Sequence, residues 1–120
     1  MTGWNILVLE DDEPTASAYA EGLAAPGTTV VTCNRFDEAR RHLLSHCPNA
    51  LLADVRVGEF NGLHLATLFR SHAPTGQIVI VSGYEDPVIR RHAEGLGAEF
   101  FLKPVSLAEL VGRLSPPPSE

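Results

Sequence analysis

Short apolar or β-branched runs alternate with stretches of helical periodicity along the whole chain, five of each. The runs are Asn5–Leu9, Thr28–Thr32, Ala50–Ala53, Gln77–Val81 and Glu99–Leu102. They are too short for helices, and the first, third and fourth are apolar throughout, as strands covered on both faces must be. Between them the pattern changes to helix signals. Asp12 is a good N-cap, followed by Glu13 and Pro14, and opens a helix expected to reach about Ala25, before Pro26-Gly27. The second expected helix is Phe36–His46, with an apolar stripe at Phe36, Ala39, Leu43 and Leu44. The third is Gly62–His72, burying Leu63, Ala66, Leu68 and Phe69. The fourth is Asp86–Leu96, stopped by Gly97, and the fifth is Leu107–Leu114, capped by Ser106 with Glu109 in capping-box position. Strict alternation of this kind predicts a doubly wound α/β domain with a five-stranded parallel sheet.

Length and composition exclude several alternatives. At 120 residues there is room for one hydrophobic core. The longest apolar runs, such as Ile6–Leu9 and Ile78–Val81, fall far short of the roughly 20 residues a membrane span needs. The N-terminus lacks a basic start followed by an apolar stretch, so no secretory signal is visible and a cytoplasmic location is expected. A net charge of −6 with no basic stripe argues against direct nucleic-acid binding. Cys33 and Cys47 form no CxxC pair and are expected to be reduced and mostly buried. His42 and His46, spaced i, i+4 beside Cys47, have a spacing that could hold a metal, but a solvated helix face is the simpler reading. His64, His72 and His92 stand alone. Residues 1–114 are expected to form the domain, and the Pro-rich residues 115–120 a tail or truncated linker.

In an open parallel sheet, ligands bind beyond the carboxyl ends of the strands. Glu10, Asp11 and Asp12 follow the first strand, Asp54 the third, Ser82 the fourth and Lys103 the fifth. Converging carboxylates repel, and a hard divalent cation such as Mg²⁺ is the natural counter-charge for oxygen donors. No phosphate-cradling GxxxxGK[ST] loop and no GxGxxG is present. A carboxylate nucleophile at Asp54, a Mg²⁺ site, a Lys and a hydroxyl suit phosphoryl transfer, which requires neutralised charge and positioned oxygens.

The segments ILVLEDDEP (6–14), LLADVRVGEFNGLHLA (51–66), IVIVSGY (78–84) and FFLKP (100–104) together resemble the receiver domain of two-component response regulators. The likeness covers about residues 5 to 114 and implies a flavodoxin-like (βα)5 fold with strand order 2-1-3-4-5. It further implies that Asp54 is the phosphoacceptor. Glu10 and Asp11 would form the acidic pair that holds Mg²⁺ with Asp54 and the backbone carbonyl of Arg56; Asp11 with Asp12 is the alternative pairing. Ser82 would bond the phosphoryl group and Lys103 pair with it, and the Lys103–Pro104 peptide would be cis. Phe100, three residues before Lys103, takes the switch aromatic position, with its neighbour Phe101 as the alternative. Arg56 and Tyr84, two residues past Asp54 and Ser82, would tune the phosphoryl lifetime.

The implied partners are a sensor histidine kinase or histidine phosphotransfer protein upstream. Downstream stands a protein or effector domain reached through helix 4, strand 5 and helix 5, with a phosphorylation-dependent dimer as a further expectation. Any catalysis would be limited to weak Mg²⁺-dependent self-phosphorylation and self-dephosphorylation. Three departures from the family pattern stand out. Gly58 replaces a frequent Pro, the 97–103 segment is one residue short between Gly97-Ala98 and Lys103, and Phe at 100 lacks the hydroxyl of the frequent Tyr. An aspartyl-phosphate hydrolase, a phosphorylation-independent interaction module and a flavodoxin-like electron carrier are the rival readings. The first would need an Asp where Arg56 stands, the complete acidic, Asp, Ser and Lys set speaks against the second, and no flavin phosphate loop follows the first strand.

Overall fold

The computed structural model describes residues 3–56 and 61–116. The expected loop at Arg56–Asn61, with Gly58, and the Pro-rich tail therefore lie largely outside the described residues. Elements alternate as β1 (Trp4–Leu9), α1 (Glu13–Leu23), β2 (Thr28–Cys33), α2 (Phe36–Ser45), β3 (Ala50–Asp54), α3 (Asn61–His72), β4 (Gln77–Ser82), α4 (Pro87–Gly95), β5 (Glu99–Leu102) and α5 (Leu107–Leu114). The strands pair in parallel in the order β2-β1-β3-β4-β5, the flavodoxin-like arrangement.

Alternation along each strand sorts its side chains between two layers. Leu7, Leu9, Leu51, Ala53, Ile78 and Ile80 pack with residues of α2, α3 and α4. Ile6, Val8, Ala50, Leu52, Val79 and Val81 face the other way, onto α1 and α5. Phe100 joins the first layer and Phe101 the second, so the two aromatic neighbours lie on opposite faces of β5. Helix starts follow side-chain chemistry. Asp12 accepts from the Thr15 amide at 3.1 Å, Asp86 from Val88 at 2.9 Å and Ser106 from Glu109 at 3.3 Å. At the end of α4, Gly97 takes φ +73°, while Ala98 donates to the Ala93 carbonyl and Gly97 to that of Glu94. This paired closure needs a residue without a Cβ at the left-handed position.

Several sequence expectations are corrected. Helix α1 ends at Leu23 instead of about Ala25, because Ala24 already takes extended backbone geometry, with ψ 136°. Leu44 is 44% exposed, so the α2 stripe is narrower than expected. Leu65 is fully buried, because α3 is covered by both the sheet and α2, which widens its buried face. Cys47 is exposed beyond the end of α2, whereas Cys33 is buried. His42 and His46 lie with ring centroids 5.8 Å apart. Among the described residues, no cluster of three metal-binding side chains includes them. Nor is any described helix long and apolar enough to cross a membrane.

Candidate functional site

The register of the sheet brings the strand ends together. Leu9 pairs with Ala53, Asp54 with Val81 and Ser82 with Leu102. Backbone bonds carry the alignment one residue further: Glu10 donates to the Cys33 carbonyl at 3.0 Å, and Lys103 to the Ser82 carbonyl at 2.8 Å. Glu10, Asp54 and Lys103 thus emerge at one level on the carboxyl edge.

Lys103 is the meeting point of that edge. Its Nζ donates to Asp54 Oδ2 at 2.5 Å and to Glu10 Oε1 at 3.1 Å. Both carboxylates are buried, Glu10 at 1% exposure and Asp54 at 6%. Burial pushes the Glu10 carboxyl above its usual range, against the Asp12 amide and Lys103, which lower it. Burial alone would lower the Lys103 ammonium. The hydrogen bonds to Asp54 and Glu10 outweigh it and hold lysine above its usual range. Asp54 Oδ1 accepts from the Arg56 amide at 2.8 Å, so both of its oxygens are engaged.

Asp11 completes an acidic group. One carboxylate oxygen from each of Glu10, Asp11 and Asp54 lies within 4.8 Å of the others, with Asp11 exposed to solvent. Asp12 is set apart from the group as the helix cap, bonded to the amide and hydroxyl of Thr15. The pairing of Glu10 with Asp11 is therefore the one the geometry brings together. Lys103 supplies one positive charge against three carboxylates. The set is all hard oxygen and keeps net negative charge, which fits a divalent cation of the Mg²⁺ class.

Ser82 is fully buried, and its hydroxyl is closed on its own loop. Oγ donates to the Tyr84 carbonyl at 3.0 Å and accepts from the Tyr84 amide at 3.1 Å. Tyr84 is 61% exposed, and the Arg56 guanidinium lies 4.6 Å from the centre of its ring. These two residues thus touch across the mouth of the site. Phe100 sits back from it on β5, under the guanidinium of Arg90. The Lys103–Pro104 peptide is cis. Gly62 lies where a Cβ would come within 2.2 Å of the Asp54 carbonyl oxygen, so a residue without a side chain is required behind the site. Its position eight residues after Asp54 carried no distance information.

Comparison with known proteins gives a consistent picture. The sequence profile of the response regulator receiver domain matches residues 6–115. The chain is 27% identical over 123 residues to the photosynthetic apparatus regulatory protein RegA of Cereibacter sphaeroides, covering 97% of this chain and 67% of RegA. It is 28% identical to the transcriptional regulatory protein PrrA of Mycobacterium tuberculosis, covering 95% of this chain but 49% of that protein. A crystal structure of a Burkholderia pseudomallei response regulator, with a phosphorylated aspartic acid, calcium ion and citrate, superimposes with a TM-score of 0.82 at 26% identity. The match covers 93% of this chain and 66% of that one.

Proposed function

The chain belongs to the response regulator receiver domain family, and from that premise we propose that Asp54 is its phosphoacceptor. The single observation that supports this reading best is the buried Asp54 held by Lys103, with Glu10 and Asp11 beside it at the carboxyl edge of the sheet. In this reading an upstream histidine kinase or phosphotransfer protein presents a phosphohistidine. An Asp54 carboxylate oxygen attacks phosphorus in line as the P–N bond breaks, and its electron pair stays on the departing imidazole nitrogen. Glu10, Asp11, Asp54 and the Arg56 carbonyl would hold Mg²⁺. Bound there, the ion supplies neutralisation of the phosphoryl oxygens.

The chain's own groups do the rest. Lys103 holds one Asp54 oxygen in place, and then pairs with the transferred group. Phosphorylation adds roughly −1.5 to −2 charge. That charge draws the Ser82 hydroxyl off the Tyr84 carbonyl toward the new oxygens. The space Ser82 leaves lets Phe100 turn inward, a population shift between two packings of α4, β5 and α5. Those elements would carry the signal to a downstream protein or effector domain, or to a phosphorylation-dependent dimer, in the cytoplasm. Arg56 and Tyr84 flank the path by which water reaches the phosphoryl group and would set its lifetime. Residues 1–114 would form the receiver and 115–120 a tail or linker.

Acetyl phosphate with Mg²⁺, followed by intact-mass spectrometry, tests the site. Wild type should gain one phosphoryl group and Asp54→Asn none. Equal labelling of the two would rule Asp54 out.

A further inference from the structure

The segment that follows Ser82 is tied to two other elements by one side chain. Glu85 lies in the β4–α4 loop, and Arg90 reaches back to it from α4. Arg90 Nε donates to Oε2 at 2.9 Å and Nη2 to Oε1 at 2.8 Å. The same guanidinium covers the ring of Phe100 on β5, with Cζ 4.6 Å from the ring centre. In the fold Arg90 is half-buried and links the loop, α4 and β5. A guanidinium can do both at once, because its donors lie in its plane and leave a face free for the aromatic ring. Pairing with Arg90 also holds the Glu85 carboxyl below its usual range.

Glu85 directly follows the turn that Ser82 closes on Tyr84. Anything that draws the Ser82 hydroxyl away opens that turn one residue before the clamp. We propose that Glu85 and Arg90 are positioning residues that clamp Phe100 and hold the β4–α4 loop in its unphosphorylated arrangement, thereby setting how readily the chain converts. The proposal rests on Asp54 being the phosphoacceptor. Neither residue touches the reacting atoms. Their effect falls on the equilibrium between the two arrangements, and loosening the clamp favours the converted one.

The test is a titration of the ¹⁵N-labelled full chain with beryllofluoride in excess Mg²⁺, read at the amides of Ser82, Gly83 and Tyr84. Thermal transitions verify that every variant is folded. Glu85→Gln and Arg90→Gln should each lower the beryllofluoride midpoint on the order of threefold to tenfold. Arg90→Lys should behave like the Gln variant, since it keeps the charge but loses both the fork and the planar face. The double variant should shift no further than the larger single one, as two halves of one clamp must. Unchanged or raised midpoints, or single effects that add fully, overturn the clamp. A wild-type chain that does not respond to beryllofluoride overturns the phosphoacceptor reading and the clamp with it. A responsive wild type with unmoved variants overturns the clamp alone.

Discussion

Lys103 and Asp54 stand 49 residues apart in the chain, yet Nζ and Oδ2 lie 2.5 Å from each other. The same ammonium also reaches the more deeply buried Glu10. Removing it leaves two carboxylates facing each other with little water to screen them. Lys103→Met should therefore cost about 1–2 kcal/mol at pH 7, below the figure for a fully buried pair because Lys103 keeps contact with solvent.

The loss should depend on pH in a defined direction. Glu10 has a raised pKa in the fold, so the folded state favours its protonated form. Its burial is tolerated at low pH and becomes costly as pH rises through the usual carboxylate range and on to the folded value. The Met variant should approach wild-type stability near pH 4 and diverge from it by pH 7. For Lys103 itself the pKa is raised, so its contribution is complete below the ordinary lysine value near 10.5 and is lost only at higher pH. Urea denaturation across pH 4–8 checks the sign for Glu10. A constant difference between variant and wild type would contradict the account.

Gly62→Ala puts a methyl group 2.2 Å from the Asp54 carbonyl oxygen and 2.9 Å from Val55 Cα. Both are backbone, so no side-chain rotation relieves the overlap. The start of α3 must move away from β3, at a cost of about 1–3 kcal/mol. Asp54 belongs to the displaced strand end, so labelling by acetyl phosphate should fall together with the melting temperature. A variant that labels at the wild-type rate would show that the two backbones can part without disturbing the site.

Arg70→Met should destabilise the chain by about 2–3 kcal/mol, since bonds to a charged donor are among the stronger ones and their removal leaves carbonyls unpaired. Arg70 Nε donates to the Leu96 carbonyl at 2.8 Å, and Nη1 to the carbonyls of Ala73, Pro74 and Gly76 at 2.9–3.0 Å. One guanidinium thus joins the end of α3, the following turn and the end of α4. Hydrogen exchange should accelerate at Leu96, Gly97 and Ala98 in the variant. Unaltered protection there would mean the end of α4 holds on its own.

Arg70 also marks where sequence reading stops. The strands and caps were legible because their causes are local: apolar runs at β1, β3 and β4, and Asp12 and Ser106 at helix starts. The site was legible because a parallel sheet collects whatever follows its strands. This put Glu10, Asp54, Ser82 and Lys103 on one edge before any distance was known. Arg70 and Arg90 each look like any helical arginine, and only the fold reveals the carbonyls around one and the aromatic ring under the other. Leu44, Leu65 and Cys47 were misjudged for the same reason. Whether a helical position is covered depends on which neighbours pack on that helix, and a periodic stripe does not record this.

The two thiols should separate cleanly in chemical labelling. Burial pushes Cys33 up to about 11, with Glu38 adding to the effect, whereas Cys47 is exposed. Iodoacetamide at pH 8 should modify Cys47 alone, and Cys33 only after unfolding, because the thiolate is the reactive form. The sign for stability follows. The unfolded thiol ionises near 9 and the folded one near 11, so between these values the unfolded state holds fewer protons. Stability should fall with rising pH in that window, by roughly 3 kcal/mol in all, and Cys33→Ser should show less of this alkaline loss. Rapid double labelling of the native chain would contradict the burial of Cys33.

Arg56 and Tyr84 meet through a guanidinium 4.6 Å from the ring centre, one from the loop after β3 and the other from the loop after β4. They stand two residues past Asp54 and Ser82, so their contact spans the opening above the proposed phosphoryl group. Water that hydrolyses an aspartyl phosphate must approach in line with the breaking bond, through that opening. If the stacked pair obstructs this path, Arg56→Ala and Tyr84→Ala should each shorten the phosphoryl lifetime on the order of several-fold, the scale of an exposed cation–π contact. The double variant should fall well short of the product of the two, because either change alone already breaks the stack. Decay of phosphorylated chain, followed by intact mass after removal of acetyl phosphate, measures all four proteins under one condition. Rates unchanged in both single variants would remove Arg56 and Tyr84 from any role in lifetime. Fully multiplicative effects would keep the roles but separate them, each residue acting on the attacking water without the other.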